Sequence, residues 1–510
     1  MSFRDRRLRP SPQKRRFESL SSGEPLSPVE SGARHFPGLM VCGILICLGL
    51  TPPCFGQDAS SAESSQTAEA VPSGEAVPSG EAVPSAEAVP SAQDAEGSVE
   101  WLNTMLSRTV KPLPLTDVGT SDGFFAAKIP AKMLQPLARE EGAYVMSLDF
   151  GAGPDSAAEC HVYQENLDLA SSLVGFSNRI FDIVGESIGE IVFKTIYGVD
   201  AGGIGSVPYL GLDWLYRIRN ETGEVADQAK HLIATKEGKA LYCQSTALGY
   251  DDAFFNVFKY LVATIEYGDK APAEPYYQEL ILSSIGEQVV GVRQNLHLLD
   301  EEGDVELREH GWMLLPVDSQ SLQSQDSFTV EYGNAAGELL ARVEVEVANG
   351  EMLTQMRLAP GDDGQWVLNG VFQGQVLEQR TLGRAALRSD LGRRVDFGAL
   401  WISTEKDATM THDSWIQDMD PSQILKTTVT MPAPVGAGQN FAAVKIQEGN
   451  LVTEAKVDQY LSPVRAVVPL GAVSLIEERV YVDGDPLLPL IRGRARVSSA
   501  VSRKGASSGS

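Results

Sequence analysis

Hydrophobic and polar residues alternate with a period of two through much of the second half of the chain. Residues 328–332 and 343–347 alternate strictly, and turn signals such as Asn349-Gly350 separate the runs. Since successive side chains of a strand point to opposite faces, this alternation is typical of strands with one buried face. Asn-Gly between such runs is a strong hairpin signal. The pattern predicts an antiparallel meander of about eight strands over 279–382.

A β-rich C-terminal part is predicted to follow the meander. Strand-like runs occupy residues 397–403, 426–431, 441–447, 451–457, 464–468 and 473–482. We therefore divide this half of the chain into an antiparallel β meander at 276–383 and a β-rich part at 384–495. Residues 496–510 are rich in Ser, Arg and Gly and are predicted to be disordered.

In two segments of the first half, apolar residues recur every three or four positions, which is the helical spacing. One stripe runs through 167–192 and predicts a long helix there. A second helix is predicted over 251–266, where acidic residues at the start favour a helix N terminus. Strand patterns lie at 124–130, 144–150, 160–163, 231–235 and 241–248. The fold class is therefore α+β: an N-terminal α+β domain at 99–267, with both helices on antiparallel strands, precedes a β-rich antiparallel half-barrel or sandwich.

The first 98 residues differ in composition from the predicted domains. A basic start is followed by an apolar run at 39–50, which is too short to span a membrane because a spanning helix needs about 20 residues. Residues 1–56 are thus predicted to be a signal peptide cleaved near Gly56. Four EAVPS[GA] hexapeptides make 57–98 an acidic linker that is predicted to be disordered. We expect a periplasmic or secreted protein that does not span the membrane after leader removal.

Net charge and cysteine content narrow the range of possible partners and covalent links. The net charge is −26, and loss of the basic leader would make the chain more acidic still. Such a chain repels phosphate backbones, which argues against a nucleic-acid partner. Cys160 and Cys243 are the cysteines outside the leader, and an exported protein with two cysteines is a candidate for one disulfide. The alternative is that both are buried free thiols.

The segment Gly185-Glu186-Ser187-Ile188-Gly189 matches the Gly-x-Ser-x-Gly pattern of serine hydrolases. That pattern places the serine at a sharp turn between a buried strand and a helix. Here the helical stripe of 167–192 runs through the motif, so we favour a helix over a catalytic Ser187. No histidine pair has zinc-ligand spacing, and we expect neither a metal site nor a cofactor.

The most polar stretch of the chain lies at 411–421. His412, Asp413 and Trp415 could line a binding pocket there, with the indole as an apolar wall and the polar groups as handles. The alternative, which we favour, is a helix start in which Asp420 is the N-cap and the helix continues over 422–426.

The meander sequence ELILSSIGEQVVGVRQNLHLLDEEGDVELREHGWML at 279–314 resembles the antiparallel sheets of periplasmic half-barrels of the lipoprotein-carrier superfamily. It also resembles exported β-domains of unknown function. The resemblance implies a curved sheet with an apolar concave face that shelters a lipid, an acyl chain or a partner peptide. It carries over no functional residue.

These observations favour an exported, noncatalytic protein of unknown function. We expect it to bind a lipid or other apolar ligand, or an envelope protein, through its β-rich domain. One alternative is a secreted serine hydrolase that uses Ser187. The other is a structural cell-surface scaffold, for which the repetitive linker would be a spacer.

Overall fold

The computed structural model describes residues 110–490, with gaps at 112, 141, 152–156, 165–168, 170–184, 186–188, 221–222, 248, 270–273, 301–302, 317–321, 418–419 and 471–472. The predicted leader, linker and C-terminal tail lie outside the described residues, as does most of the predicted helix over 167–192. The described part is built mostly of antiparallel β-sheet.

The N-terminal strands form two antiparallel sheets. They are β1 (Thr116–Gly119), β2 (Phe125–Ile129), β3 (Lys132–Met133), β4 (Ala138–Glu140), β5 (Ala143–Asp149), β6 (Ala157–Tyr163), β7 (Glu190–Ile204), β8 (Val207–Asn220), β9 (Gly223–Lys236), β10 (Lys239–Ser245) and β11 (Glu266–Tyr267). The order is β1-β2-β11 in the first sheet and β3-β5-β6-β10-β9-β8-β7 in the second, with β4 paired to β5. Helix α1 (Asp251–Thr264) buries Phe254, Phe258 and Leu261 against these sheets. The helix predicted over 251–266 is therefore present, and it ends where β11 begins.

The C-terminal end of the helix predicted over 167–192 is wrong, because β7 begins at Glu190. Leu169 and Gly185, the positions described within its earlier part, are helical. Gly189 has a φ of +151°, and a Cβ there would lie 2.5 Å from the carbonyl oxygen of Arg219. This backbone conformation favours glycine, and the β-branched residues that follow favour a strand.

The remaining strands form one sheet of fourteen. They are β12 (Tyr277–Ile285), β13 (Gln288–Leu299), β14 (Val305–Pro316), β15 (Leu322–Gly333), β16 (Leu339–Ala348), β17 (Glu351–Pro360), β18 (Trp366–Phe372), β19 (Gln375–Gly383), β20 (Ala408–Ser414), β21 (Leu425–Met431), β22 (Ala442–Glu448), β23 (Leu451–Val457), β24 (Pro463–Leu470) and β25 (Val473–Gly484). The eight strands β12–β19 form the antiparallel meander that the alternating pattern predicts. Because β12 also pairs with β25, strands on both sides of the predicted boundary at 383/384 share this sheet.

A short segment after β19 joins the two ends of the curved part of this sheet. Leu387 forms a parallel bridge with Asp413 of β20. The carbonyl oxygen of Leu387 also accepts a hydrogen bond from the backbone N–H of Leu339, the first residue of β16, at 3.0 Å. Residues 387–389 thus connect β16 to β20. We call the ring made by β12–β16, β20–β25 and this segment the closed sheet.

Helix α2 (Asp390–Trp401) replaces the strand predicted over 397–403, so that prediction is wrong. The Ser389 side chain accepts a hydrogen bond from the backbone N–H of Gly392 at 3.3 Å and caps the helix. Leu391, Phe397 and Leu400 recur at helical spacing and are buried. The predicted strand covers only the apolar C-terminal end of this helix. Phe397 and Leu400 pack against β20–β24 from inside the closed sheet.

The outer face of the closed sheet packs on the second N-terminal sheet. Trp214 of β8 meets Trp312 of β14 with ring centroids 6.3 Å apart, and Leu210 and Val292 belong to the same buried cluster. Alternate residues of β12–β14 are used in this packing. Their neighbours in sequence point into the closed sheet, where they meet α2 and a cavity.

Candidate functional site

The inner face of the closed sheet surrounds a cavity of about 410 Å³. Its wall combines charged and apolar side chains. The charged ones are Arg293, Glu309, Glu331, Arg342, Glu344, Arg388, Asp390, Arg393, Asp413, Glu448 and Glu477, and the apolar ones include Met313, Leu339, Leu387, Trp415, Ile416, Val429, Ile446, Leu461 and Leu475.

The strand register places the charged groups on one face. Thr329 of β15 lies opposite Glu309 of β14 on one side and Glu344 of β16 on the other. Residues directly opposite each other in an antiparallel pair project to the same face of the sheet. These three strands therefore bring their carboxylates to the same side of the cavity, where Arg342 joins them opposite Glu331.

Arginines neutralise most of these carboxylates in the wall. Arg342 pairs with Glu344 and, at 3.3 Å, with Glu331. Arg293 lies 2.9 Å from Glu477 and 3.8 Å from Glu309. A charge-assisted bond of this kind is stronger in a partly buried site than at the surface. The arrangement therefore fixes the side chains that shape the cavity.

Arg393 extends this network to the N-terminal end of α2. Its guanidinium lies 3.6 Å from Glu331 and 3.5 Å from Asp390. Asp390 is also paired with Arg394, and these neighbours hold the pKa of its carboxyl well below the ordinary value in spite of burial. Asp390 is therefore a carboxylate at neutral pH.

Two other carboxyl groups of the wall, those of Glu448 and Glu344, have raised pKa values. Burial raises the pKa of Glu448 above its ordinary value, against the opposing influence of Arg393 and Arg342. Burial also raises the pKa of Glu344, and the nearby Glu309 and Glu331 carboxylates add to the effect. In both groups the ionised form is incompletely stabilised by the protein.

A cluster of buried polar side chains around Glu279 lies beneath α2. Glu279 of β12 accepts hydrogen bonds from Tyr277 at 2.9 Å, from Asn295 at 2.8 Å and from Ser462. Arg394 and Arg479 each approach its carboxylate to 3.7 Å. Although burial opposes it, these partners lower the pKa of Glu279, which therefore remains ionised inside the protein.

His297 lies beside this cluster and is fully buried between Tyr276 and Tyr277. Neither ring nitrogen has a hydrogen-bond partner among the described residues, and Nε2 is 3.7 Å from the Asp390 carboxylate. Burial lowers the pKa of His297 to about 4, although Asp390 acts in the opposite direction. The ring is therefore neutral in the folded protein at neutral pH.

This depressed pKa predicts a pH-dependent contribution to stability. Between its folded pKa of about 4 and its ordinary value of 6.5, the unfolded state binds more protons at His297 than the folded state does. Acidification therefore favours unfolding, by about 2 kcal/mol between pH 7 and pH 5. Urea unfolding of the full chain should show this loss in the wild type and a smaller loss in His297→Phe.

The other titrating groups are common to both proteins in this comparison, so the difference between the two pH dependences isolates His297. Phenylalanine retains the ring packing and removes no hydrogen bond of the histidine. Equal pH dependences in the two proteins would contradict the assignment.

The three residues proposed from sequence as ligand-binding, His412, Asp413 and Trp415, all line the cavity. Burial, with Arg393 next in effect, lowers the pKa of His412 to about 4, so its ring is neutral and offers a hydrogen-bond acceptor. Asp413 pairs with Lys426 at 2.5 Å. Their part in binding stays a prediction.

The helix start predicted at 420–426 is wrong. Asp420 accepts a hydrogen bond from the backbone N–H of Ser422 at 2.9 Å, which is a turn that leads directly into β21. The short aspartate side chain caps such a turn in the same way as it caps a helix. Because β21 pairs with both β20 and β22, the residues after this turn form a strand and not a helix.

The two cysteines proposed from sequence do not line this cavity. Cys160 and Cys243 face each other on β6 and β10, with a 2.01 Å bond between their sulfur atoms. Ser187 lies outside the described residues, so the alternative of a catalytic serine stays untested. Within the described ranges, no group of three or more His, Cys, Asp or Glu side chains is placed to hold a metal ion.

Sequence reasoning missed the charged wall itself. Glu344 and Glu346 alternate with valines on β16, a pattern that predicts glutamates facing solvent, yet both glutamates are buried. The sequence does contain one signal for this wall, because arginines and glutamates recur at alternate positions of neighbouring strands. Whether these side chains face solvent or a cavity depends on the closure of the sheet, and no local sequence pattern indicates that closure.

In the described part of the chain, no helix has both the length and the apolar character needed to cross a membrane.

Comparisons of the chain with known proteins find limited similarity. No protein-family profile matches the chain, and no curated protein matches it.

The solved structures that match the chain include two proteins of unknown function, both at low similarity. A β-barrel-like protein of the domain of unknown function DUF1849 from Brucella abortus is 11% identical, with a TM-score of 0.33, and the match covers 42% of this chain and 99% of that one. A DUF1089 family protein from Pseudomonas aeruginosa is also 11% identical, with a TM-score of 0.20, and covers 39% of this chain and 92% of its own.

Proposed function

We propose that the protein is an exported, noncatalytic binding protein whose closed sheet shelters a small molecule in its cavity. The observation that supports this most is the cavity of about 410 Å³ on the inner face of the sheet. Small-molecule sites have volumes of roughly 300–1,000 Å³ and combine apolar walls with a few polar groups. The cavity has a volume in this range, and its wall combines apolar side chains with more charged groups than such sites usually have.

The composition of the wall modifies the ligand class expected from sequence. An apolar concave face would suit a lipid or an acyl chain. The inner face instead carries paired arginines and glutamates beside Trp415 and Leu461. Burying an alkyl chain against ionised groups removes them from water without a compensating bond, which is costly. We therefore propose a ligand that has both a polar group and an apolar part.

The proposed location rests on the leader expected at 1–56 and on the Cys160–Cys243 pair. Disulfides persist in oxidising compartments such as the periplasm and the extracellular space. The bond that joins β6 to β10 in the structure supports an exported protein.

Calorimetric titration of the full chain with hexylamine, hexanoate and hexanol tests the binding function. These ligands share one apolar part and differ in their polar group. We expect saturable binding of at least one of them to the wild type and its loss in Thr329→Trp, because the indole would occupy the cavity.

Val452→Trp is the matched control, because Val452 is an exposed position of the same sheet. It should bind as the wild type does, and the unfolding midpoint of each variant shows whether it is folded. Absence of binding for the whole series, or equal binding in folded Thr329→Trp, would contradict the proposed function.

A further inference from the structure

The charges that line the cavity do not balance. Seven carboxylates and four guanidiniums face it, which gives a formal excess of three negative charges if all are ionised. Lys426 pairs with Asp413 from the rim and offsets one of these charges. Arg394 lies behind Asp390, but it is shared with Glu279. An excess of negative charge therefore remains in the wall.

Glu448 is the least compensated of these groups. Within the part of the chain that the structure describes, no cationic side chain forms an ion pair with it, whereas Glu344 at least shares Arg342 with Glu331. It lies at the end of β22, half-buried and open to the cavity. A partly buried carboxylate without a counter-ion is still costly, and the raised pKa of Glu448 reflects that cost.

The strand register places two polar side chains in a row with Glu448. Thr427 of β21 lies opposite Glu448 on one side and opposite His412 of β20 on the other. The three side chains therefore form a row across adjacent strands, which lie about 5 Å apart. At this row the neutral His412 ring offers an acceptor, and the buried Thr427 hydroxyl acts as a hydrogen-bond donor towards the Glu448 carboxylate.

A second, independent observation points to a donor ligand. Gln417 lines the same cavity and is more than nine-tenths buried, and its side-chain oxygen accepts no hydrogen bond from any described residue. A buried amide oxygen without a donor costs free energy. A ligand that brings N–H groups into the cavity would satisfy it.

An ammonium group matches this set of partners because it carries a positive charge and three donors but no acceptor. A carboxylate or phosphate ligand would have to take guanidinium groups away from Glu477, Glu331 and Glu344, or draw Arg388 away from Asp396. It would also face the excess negative charge. Trp415, Leu339 and Leu461 in the same wall would accommodate the apolar remainder of an amine.

We propose, on the basis of the binding function above, that the ligand is a small primary amine with an apolar body. Its ammonium group pairs with Glu448 beside Thr427 and His412, and its apolar body packs against Trp415. The site is thus selective for organic cations over anions and neutral molecules of the same size.

Comparison of Glu448→Gln with Glu454→Gln tests this inference. Both substitutions remove one carboxylate and keep the side-chain shape, but Glu454 is exposed on the neighbouring strand β23. We expect hexylamine to bind the wild type more tightly than hexanoate and hexanol do. Its Kd should rise by about tenfold or more in Glu448→Gln, since an unpaired buried group is costly, and stay unchanged in Glu454→Gln.

The amine proposal can fail while the proposed binding function stands, and the measured Kd values distinguish the two cases. If hexanoate or hexanol binds more tightly than hexylamine, or if Glu448→Gln leaves the Kd for hexylamine unchanged, the amine proposal is wrong while the binding function stands. If no member of the series binds, the proposed function itself fails. The unfolding midpoint of each variant confirms that the compared proteins are folded.

Discussion

Replacement of Arg394 by methionine is expected to lower the free energy of unfolding by about 3–5 kcal/mol, the usual cost of removing one partner from a buried ion pair. Arg394 donates to the Asp390 carboxylate at 2.5 Å, lies 3.7 Å from Glu279 and covers the Tyr277 ring at 5.1 Å. Methionine keeps much of the stem but leaves both carboxylates with fewer partners. Urea unfolding of the full chain gives the difference.

A matched control distinguishes burial from charge alone. Lys445→Met removes a cation from an exposed pair with Glu454 in the same sheet, and such pairs contribute about 0–1 kcal/mol. The pKa values of Glu279 and Asp390 are lowered in the folded protein, so their contribution is present above their ordinary pKa and is lost as the pH falls through the folded value. Equal losses of unfolding free energy in Arg394→Met and Lys445→Met at neutral pH would show that the polar cluster beneath α2 does not depend on Arg394.

Removal of the disulfide is expected to have the second large effect. The bond links residues 83 positions apart in sequence. In the chain-entropy description, a loop of this length corresponds to about 4.5 kcal/mol, and measured losses for native bonds are typically about 2–5 kcal/mol. Both cysteines are fully buried between neighbouring strands. The double variant Cys160→Ala/Cys243→Ala should therefore unfold at a markedly lower urea concentration than the oxidised wild type.

A reductant provides the internal control for this prediction. It should lower the urea midpoint of the wild type towards that of the double variant and leave the double variant unchanged. Thiol labelling of the denatured protein, purified without reductant, reports the state of Cys160 and Cys243 directly. Two free thiols in that protein, or a wild-type midpoint insensitive to reductant, would contradict the prediction.

The meander could be predicted from sequence because its signals are local. Strict alternation at 328–332 and Asn-Gly at 349–350 each report the conformation of a few neighbouring residues, and the structure has strands and a hairpin there. Helix α1 was predictable for the same reason, since Phe254, Phe258 and Leu261 lie on one helical face.

The errors arise where a local pattern has two interpretations. The apolar run at 397–403 fits a strand, but Ser389 as N-cap and the helical spacing of Leu391 and Phe397 make 390–401 a helix. The stripe through 167–192 continues past Gly189, whose backbone conformation allows β7 to begin at the next residue. In both regions the boundary is set by one capping or glycine position.

The candidate site was predictable only in part. His412, Asp413 and Trp415 stand out because polar and aromatic residues are concentrated there. Glu448 gives no such signal, because a glutamate at the end of a strand is normally solvated. Its position in the cavity follows from the pairing of β20, β21 and β22 and from the closure of the sheet through Leu387.

We propose above all that the inner face of the closed sheet is a binding site. A crystal structure of the full chain grown with bromohexylamine tests it most directly, because anomalous scattering locates the bromine independently of the protein. We expect a bromine peak inside the cavity near Trp415, with the ammonium group beside Glu448. An empty cavity, with bromine found only on the outer surface, would contradict it.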